Sequence, residues 1–402
     1  MKVCILTTSF PRFPGDYASV FVYDLAAELV AAGMEVCVIA PIEAGSLSHE
    51  VIMGVEVHRF AYFWPVRWQR IAYLGGIPDN LRRYRAAWLQ LPFFLLSFFI
   101  TAVKEGRDCD LFHAHWVFSG LVALAAVPLA PKPIVLTVHG SDLNVSSGNK
   151  LLRFLRQFVV MRVDKVIAVS TSLANKLREL NLPEERIAPI GNGVNLAVFG
   201  ERCMETAPGY RLVWVGRMSP VKGLIYLLKA LPDIFKVFPE TTLTLIGDGP
   251  LRRELEAIAE DLNVKSAMRF VGFADHESVA EYLAEADLFI LPSLSEGMPL
   301  VVLEAMSTGL PVVATAVGGV SELVVTESPG RTGLLVPAED SAALVEAVVY
   351  MFSHPDEAWQ MGYNGRVRIE KNFTWSSVAR LTIDLYHALA DNQVQQKASD
   401  VF

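Results

Sequence analysis

Two Rossmann-like, doubly wound α/β domains facing each other across a cleft are what this sequence predicts, and three observations carry the expectation. Short β-branched runs alternate with helical periodicity almost from end to end, the pattern of parallel sheets covered on both faces. At about 100 to 200 residues per domain, 402 residues exceed a single domain. Each half opens on a strand, a glycine-containing loop and a long helix: KVCILTTSFPRFPGDYASVFVYDLAAEL in the first and RLVWVGRMSPVKGLIYLLKALPDIF in the second.

Expected strands in the first half are Lys2–Leu6, Val36–Ala40, Val55–Phe60, Leu111–His115, Ile134–His139 and Lys165–Val169. In the second half they are Arg211–Val215, Thr242–Ile246, Met268–Val271, Leu288–Leu291, Pro311–Ala314 and Gly333–Val336. Helical patterns fall at 18–32, 221–236, 250–262 and 275–286. Between Asn192 and Gly209 the periodicity lapses into polar, Gly and Pro residues, which places the linker there. The expected division is 1–198 and 199–373, with a last helix from about Thr374 to Asp391.

Composition bounds the function. Hydrophobic residues make up 52% and charged ones 19%, enough to bury a large core and too apolar for a disordered scaffold. Thirty-five basic against 43 acidic side chains give a net charge of −8, which excludes general nucleic-acid binding through a basic surface. The balance is uneven: 19 basic and 16 acidic groups in 1–200, but 16 and 27 in 201–402. The four cysteines, Cys4, Cys37, Cys109 and Cys203, lie far apart without a CxxC pair, so neither a zinc site nor a disulfide framework is expected, and a reducing cytosol fits. MKVCILTTSF reads as a first strand and not as a signal peptide.

In doubly wound sheets ligands collect at the carboxyl ends of the strands. After Leu288–Leu291 comes Ser295-Glu-Gly-Met-Pro-Leu-Val-Val-Leu-Glu304-Ala305, with Pro299 suited to the first helical position. The amides of Leu300, Val301 and Val302 would point into the cleft with the positive end of the helix dipole, an arrangement that binds phosphate. Glu296 precedes that start and Glu304 lies about 7.5 Å beyond Pro299 along the helix at 1.5 Å per residue. Two carboxylates bracketing an anion site suit a nucleotide sugar; two ordinary helix-end carboxylates fit the same pattern. After Arg211–Val215 the loop Gly216-Arg217-Met-Ser-Pro-Val-Lys222-Gly223 carries two cations able to neutralise a departing diphosphate. It is not a phosphate loop of the GxxxxGK[ST] kind.

With Val215-Gly216-Arg217, Lys222-Gly223, Ile246-Gly-Asp-Gly-Pro250, Pro292-Ser293 and the Glu296 to Glu304 frame in this order, the chain resembles the retaining glycosyltransferases of family 4, which have the GT-B fold. The likeness extends to Phe112-His-Ala-His-Trp116, Thr137-Val-His-Gly-Ser-Asp142 and Gly191-Asn-Gly-Val194, and so to essentially the whole chain. It implies transfer of a hexose-type sugar from a nucleoside diphosphate to a glycan or lipid-linked acceptor, with retention and without a metal or other cofactor. By the resemblance Arg217 and Lys222 hold the diphosphate, Glu304 the ribose and Glu296 the sugar hydroxyls. Amides of Gly297, Met298, Leu300 and Val301, around Pro299, contact sugar and phosphate, with Gly216 beside them. The nucleobase pocket falls near Phe273, His139 approaches the sugar from the other domain, and His115 and Asp142 lie on the acceptor side. The last helix crosses back to the first domain. Where members often have a Gly-Gly pair, Pro14-Gly15-Asp16 leaves Gly15 to approach the donor phosphate alone.

Other patterns have plainer readings. Gly247-Asp-Gly249 lacks the third glycine of a dinucleotide fingerprint, and Asp108-Cys-Asp110 precedes a strand, away from the cleft. His113 and His115 share a strand face but lack a third metal ligand nearby in sequence, which favours a packed His113 and an acceptor-side or structural His115; His139 stands at a strand end, where a satisfied core histidine is the alternative. Residues 59–104 mix Trp, Tyr and Phe with Arg67, Arg70, Arg82, Arg83 and Arg85, the composition of a lipid headgroup boundary. Ala86–Val103 is long enough to span a bilayer, but Gln90, Pro92, Ser97 and Thr101 favour a buried or interfacial helix. The expectation is a cytoplasmic enzyme that touches the inner, anionic face of the membrane. A phosphorylase or nucleotide-sugar epimerase on the same fold is the alternative, and a non-catalytic sugar-binding protein the remote one.

Overall fold

The computed structural model describes every residue except Pro14, Tyr17, 74–75, Ser141, 144–149, 201–208 and 400–402; the side chains of Leu151 and 392–399 are also not described. The chain forms two compact units, one of Met1–Gly191 with Trp375–Phe402 and one of Asn192–Thr374. The division thus falls earlier than the expected 198. Two contacts explain it: Val194 bridges Thr374 and donates its N–H to the Phe373 carbonyl at 2.9 Å, and the Asn192 side chain donates to the Met298 carbonyl at 3.1 Å. Both tie the segment to the second unit. Residues 201–208 of the expected linker, Cys203 among them, lie outside the described residues.

The first unit runs β1 (Lys2–Leu6), α1 (Val20–Ala31), β2 (Glu35–Pro41), β3 (His49–Ile52), β4 (Val55–Phe60), α2 (Gly76–Arg83), α3 (Arg85–Gly106), β5 (Leu111–His115), α4 (Val117–Ala126), β6 (Ile134–Val138), α5 (Lys150–Val160), β7 (Lys165–Ala168), α6 (Thr171–Glu179) and β8 (Ile187–Pro189). Its sheet has the order β3-β4-β2-β1-β5-β6-β7-β8. Strands β5 and β6 are buried along their whole length, as parallel strands covered on both faces must be. Because β1 pairs with β2 on one side and β5 on the other, the strand order reverses between β1 and β5, which opens a crevice at their carboxyl ends. Two strands were not expected, the antiparallel β3 and the short β8.

The second unit runs β9 (Arg211–Val215), α7 (Leu224–Val237), β10 (Thr242–Ile246), α8 (Arg252–Asp261), β11 (Met268–Gly272), α9 (His276–Glu285), β12 (Leu288–Leu291), α10 (Leu300–Ser307), β13 (Val312–Thr315), α11 (Val320–Leu323), β14 (Gly333–Val336), α12 (Ser341–Ser353) and α13 (Pro355–Asn372). All its described strands are parallel, in the order β11-β10-β9-β12-β13-β14, and the order reverses between β9 and β12. Asp275 and Asp340 cap α9 and α12 by accepting the N–H of Ser278 and Ala343, each at 2.9 Å, which satisfies orphan donors of the first turn. The core gathers Trp214, Leu228, Leu245 and Ile290 between helices and sheet.

Helix α14 (Trp375–Ser399) belongs to the first unit and packs on α1. Its Tyr386 is fully buried and shares a 2.6 Å hydrogen bond with His113 Nδ1.

Candidate active site

The reversal point of the second sheet gathers the charged groups. Loops leaving β9 and β12 approach closely: a Cβ on Gly223 would lie 2.0 Å from the Pro292 carbonyl oxygen, and Leu294 N–H donates to the Val221 carbonyl at 2.8 Å. Only glycine, at φ +62°, allows that approach. It brings Lys222, from the 3-10 turn Pro220–Lys222, to 2.7 Å from Glu296 Oε1, and Ser293 Oγ donates to the same oxygen at 2.6 Å. Ser293 is held in turn, since Thr315 Oγ1 donates to its carbonyl at 2.5 Å. A Cβ on Gly318 would sit 1.9 Å from the Glu296 carbonyl, so the loop after β13 backs the acidic loop directly. Gly319 N–H closes it on the Gly297 carbonyl at 2.8 Å.

Helix α10 starts one residue later than expected. Pro299, at ψ 115°, is the capping residue and Leu300 the first helical one. Val302 N–H turns back on the Pro299 carbonyl at 3.2 Å, so the donors of the first turn that lead the helix are those of Leu300 and Val301, without Val302. The physical reason is the pin from Asn192 on the Met298 carbonyl, which holds the chain extended up to Pro299. Met298 is buried, and Glu304 is buried further along α10. Gly216 and Arg217 follow β9 directly, whereas Phe273 follows the edge strand β11 and is exposed.

The remaining site residues belong to the first unit. His139 stands after β6, half-buried between Phe21 at 4.8 Å and Trp116 at 5.0 Å, and its Nε2 meets His115 Nδ1 at 2.9 Å. His113, the other strand-face histidine, packs inside on Thr137 and Tyr386. Burial lowers His113 and His139 to about 3 and holds His115 well below its ordinary range, so all three are neutral near pH 7. His115 Nε2 is buried without a hydrogen-bond partner. Asp142 accepts the N–H of His139 at 3.0 Å and of Val117 at 3.3 Å; burial nonetheless raises its carboxyl to about 6. Gly15, at φ +81°, has open space where a side chain would be. Its neighbour Asp16 is structural: both oxygens take the Arg12 guanidinium, at 2.6 and 2.9 Å, and one takes the Arg12 N–H, closing the loop. Pro14 and Ser141 lie outside the described residues.

Two features escape the sequence reading. Trp116, the capping residue before α4, has φ 67° and ψ 154°, a region other residues than glycine avoid at a cost of about 1–3 kcal/mol, and such strain gathers at functional sites. The cysteines are also closer than their spacing suggested. Cys4 and Cys37 are register partners across β1 and β2, and Cys109 lies near enough for its thiol to interact electrostatically with both. Spacing along the chain does not report proximity across a parallel sheet.

Comparison with known proteins agrees with this fold. The model described as Glycosyltransferase Family 4 matches residues 18–198, and that described as Glycosyl transferases group 1 matches 209–354. An uncharacterized glycosyltransferase of Methanocaldococcus jannaschii is 30% identical over 304 residues, 74% of this chain and 82% of that one. A glycogen synthase of Mycobacterium tuberculosis is 29% identical over 419 residues, covering 96% of this chain and 95% of the relative. The solved sucrose-phosphate synthase of Thermosynechococcus elongatus superposes with a TM-score of 0.81 at 26% identity, covering 97% of this chain and 99% of that one. The fold and these likenesses define a glycosyltransferase of the two-domain GT-B kind. The chain belongs to the family 4 type of that class.

Proposed function

We propose that the protein transfers a hexose-type sugar from a nucleoside diphosphate to a glycan or lipid-linked acceptor, with retention at the anomeric carbon, in cell-envelope or exopolysaccharide synthesis. The observation that carries this reading is the Lys222–Glu296–Ser293 cluster at the reversal point between β9 and β12, beside the start of α10. There Lys222 and Arg217 neutralise the diphosphate as the bond to the sugar breaks, supported by the Leu300 and Val301 amides. Neutralisation by side chains gives the transfer no need of a metal. Glu296 binds sugar hydroxyls and Glu304 the ribose, while Phe273 and Gly216 flank the nucleoside side.

A glycosidase-like double displacement needs two carboxylates about 5 to 5.5 Å apart across the bond, one of them free to attack. Glu296 instead has Oε1 engaged by an ammonium and a hydroxyl, which favours hydrogen bonding to the donor over attack on carbon. The leaving phosphate then accepts the acceptor's proton on the same face. His139, neutral and oriented by His115, serves the sugar as a hydrogen-bond partner rather than as an acid.

The acceptor reading rests on α3. Its buried face, Phe94, Phe98 and Ala102, packs on the sheet, while Trp88, Leu89, Phe93, Leu96 and Ile100 form a second apolar face that is exposed. Arg67, Arg70, Arg82, Arg83 and Arg85 are all exposed nearby in sequence, and Trp64 is 82% exposed. A one-sided apolar face with cations fits the cytoplasmic, anionic side of a membrane, where a lipid-linked acceptor would be met.

Incubation with UDP-, GDP- and ADP-sugars, followed by NMR of the product, tests the reading. The expected product keeps the donor's anomeric configuration. An inverted product contradicts it, as does sugar phosphate formed with added phosphate, or an isomerised donor, the marks of a phosphorylase or an epimerase.

A further inference from the structure

The outer edge of the first sheet brings together a second set of chemically distinctive side chains, on strands that take no part in the site described above. Cys37 on β2 is the register partner of Glu56 on β4, and His58 on β4 is the register partner of His49 on β3. Residues paired directly across strands, or two apart along one, share a face of the sheet. Ligand atoms of Cys37, Glu56 and His58 accordingly lie within 4.8 Å of one another. Glu56 Oε1 is 3.1 Å from His58 Nε2 and 3.4 Å from His49 Nε2, and the two imidazoles lie 4.6 Å apart. In a tetrahedral site with metal–ligand bonds of about 2.0 to 2.3 Å, ligand atoms are about 3.3 to 3.8 Å apart, close to the two separations from Glu56 to the histidines and within reach of the Cys37, Glu56 and His58 set.

Two further observations fit a metal. Glu105, at the end of α3, places Oε2 3.7 Å from His58 Nδ1, the outer carboxylate that orients a histidine whose other nitrogen binds a metal. The cluster is also graded in exposure, with Cys37 buried and the His49 side chain 53% exposed, which leaves a way in for an ion. We propose that Cys37, Glu56, His58 and His49 form a zinc(II) site that clamps the edge strand β3 to its neighbours β4 and β2. One thiolate, two imidazoles and one carboxylate make the mixed S, N and O set that zinc accepts, and four protein ligands make the site structural, not catalytic. Binding releases the Cys37 proton to solvent as the S–Zn bond forms.

The test uses the full chain, stripped with a chelator and then titrated with Zn²⁺ alone and Co²⁺ alone. About one Zn²⁺ per chain should remain after desalting, and the cobalt form should show a thiolate-to-metal charge-transfer band that disappears in Cys37→Ser. His49→Ala and His58→Gln should each weaken zinc binding at least about tenfold with an unchanged far-UV spectrum. Because these two histidines, unlike Cys37, are not buried, their variants keep the test decisive if Cys37→Ser does not fold. No zinc retained, a cobalt spectrum without the sulfur band, or unchanged affinity in both histidine variants overturns the proposal.

Discussion

Three histidines of the first unit are kept neutral by burial, and the sign of their effect on stability follows. With His113 and His139 lowered to about 3, the unfolded chain takes up protons below about pH 6.5 that the folded chain refuses. Their contribution is therefore intact above pH 6.5 and is lost as pH falls toward 3. Asp142, raised to about 6, acts in the opposite sense, because the folded chain holds its proton between about 3.8 and 6. His113→Gln isolates one histidine: denaturant unfolding should show the stability lost between pH 7 and 5 reduced by up to about 2 kcal/mol, one proton over about 1.5 pH units. An unchanged pH dependence would mean that His113 is not held neutral. At this scale the places of Lys222, Glu296 and His139 in the loops after β9, β12 and β6 were legible because following a strand is a property of the linear sequence. The Ser293 contact with Glu296, the strain at Trp116 and the His113–Tyr386 bond were not, since each depends on how separate loops or a distant helix meet.

Among the elements, α3 departs furthest from an ordinary core helix. Its 22 residues are long and apolar enough to cross a membrane, yet one face already packs on Phe60 of β4, with Phe98 stacked on that ring at 4.7 Å. The opposite face is the one to test. Co-sedimentation with vesicles containing phosphatidylglycerol should show lipid-dependent binding at low salt, weakened about tenfold or more by Leu89→Ser with Phe93→Ser, given about 1.5–3 kcal/mol for burying each side chain. Absence of lipid-dependent binding would assign the exposed face another role. The parallel strands were readable because each is a short buried apolar run. Strand β3 was not, because HEVI is two polar residues followed by two apolar ones, without the period of two that marks a strand, and is defined by pairing with β4; nor was β8, three residues ending in proline. The start of α10 was misplaced by one residue because a hydrogen bond from Asn192, distant in sequence, decides it.

For the whole molecule, the two-unit plan was visible in the repeated strand–loop–helix opening of each half. The boundary was less so, because residues 192–200 contain Gly and Asn yet are fastened to the second unit by Val194 and by Arg366, whose guanidinium donates to the Phe199 carbonyl at 2.9 Å. The C-terminal return of α14 is fixed by Tyr386 and by Trp375, which is buried and hydrogen-bonds Asp24 of α1. The central claim is that a donor's diphosphate is neutralised by Arg217 and Lys222 in the second unit. Steady-state turnover of Arg217→Ala and Lys222→Ala, with whichever nucleotide sugar the wild-type protein uses, tests it most directly. Loss of a preorganised electrostatic contact should lower turnover by about 10²-fold or more in each variant. Near-normal turnover in both would contradict the account.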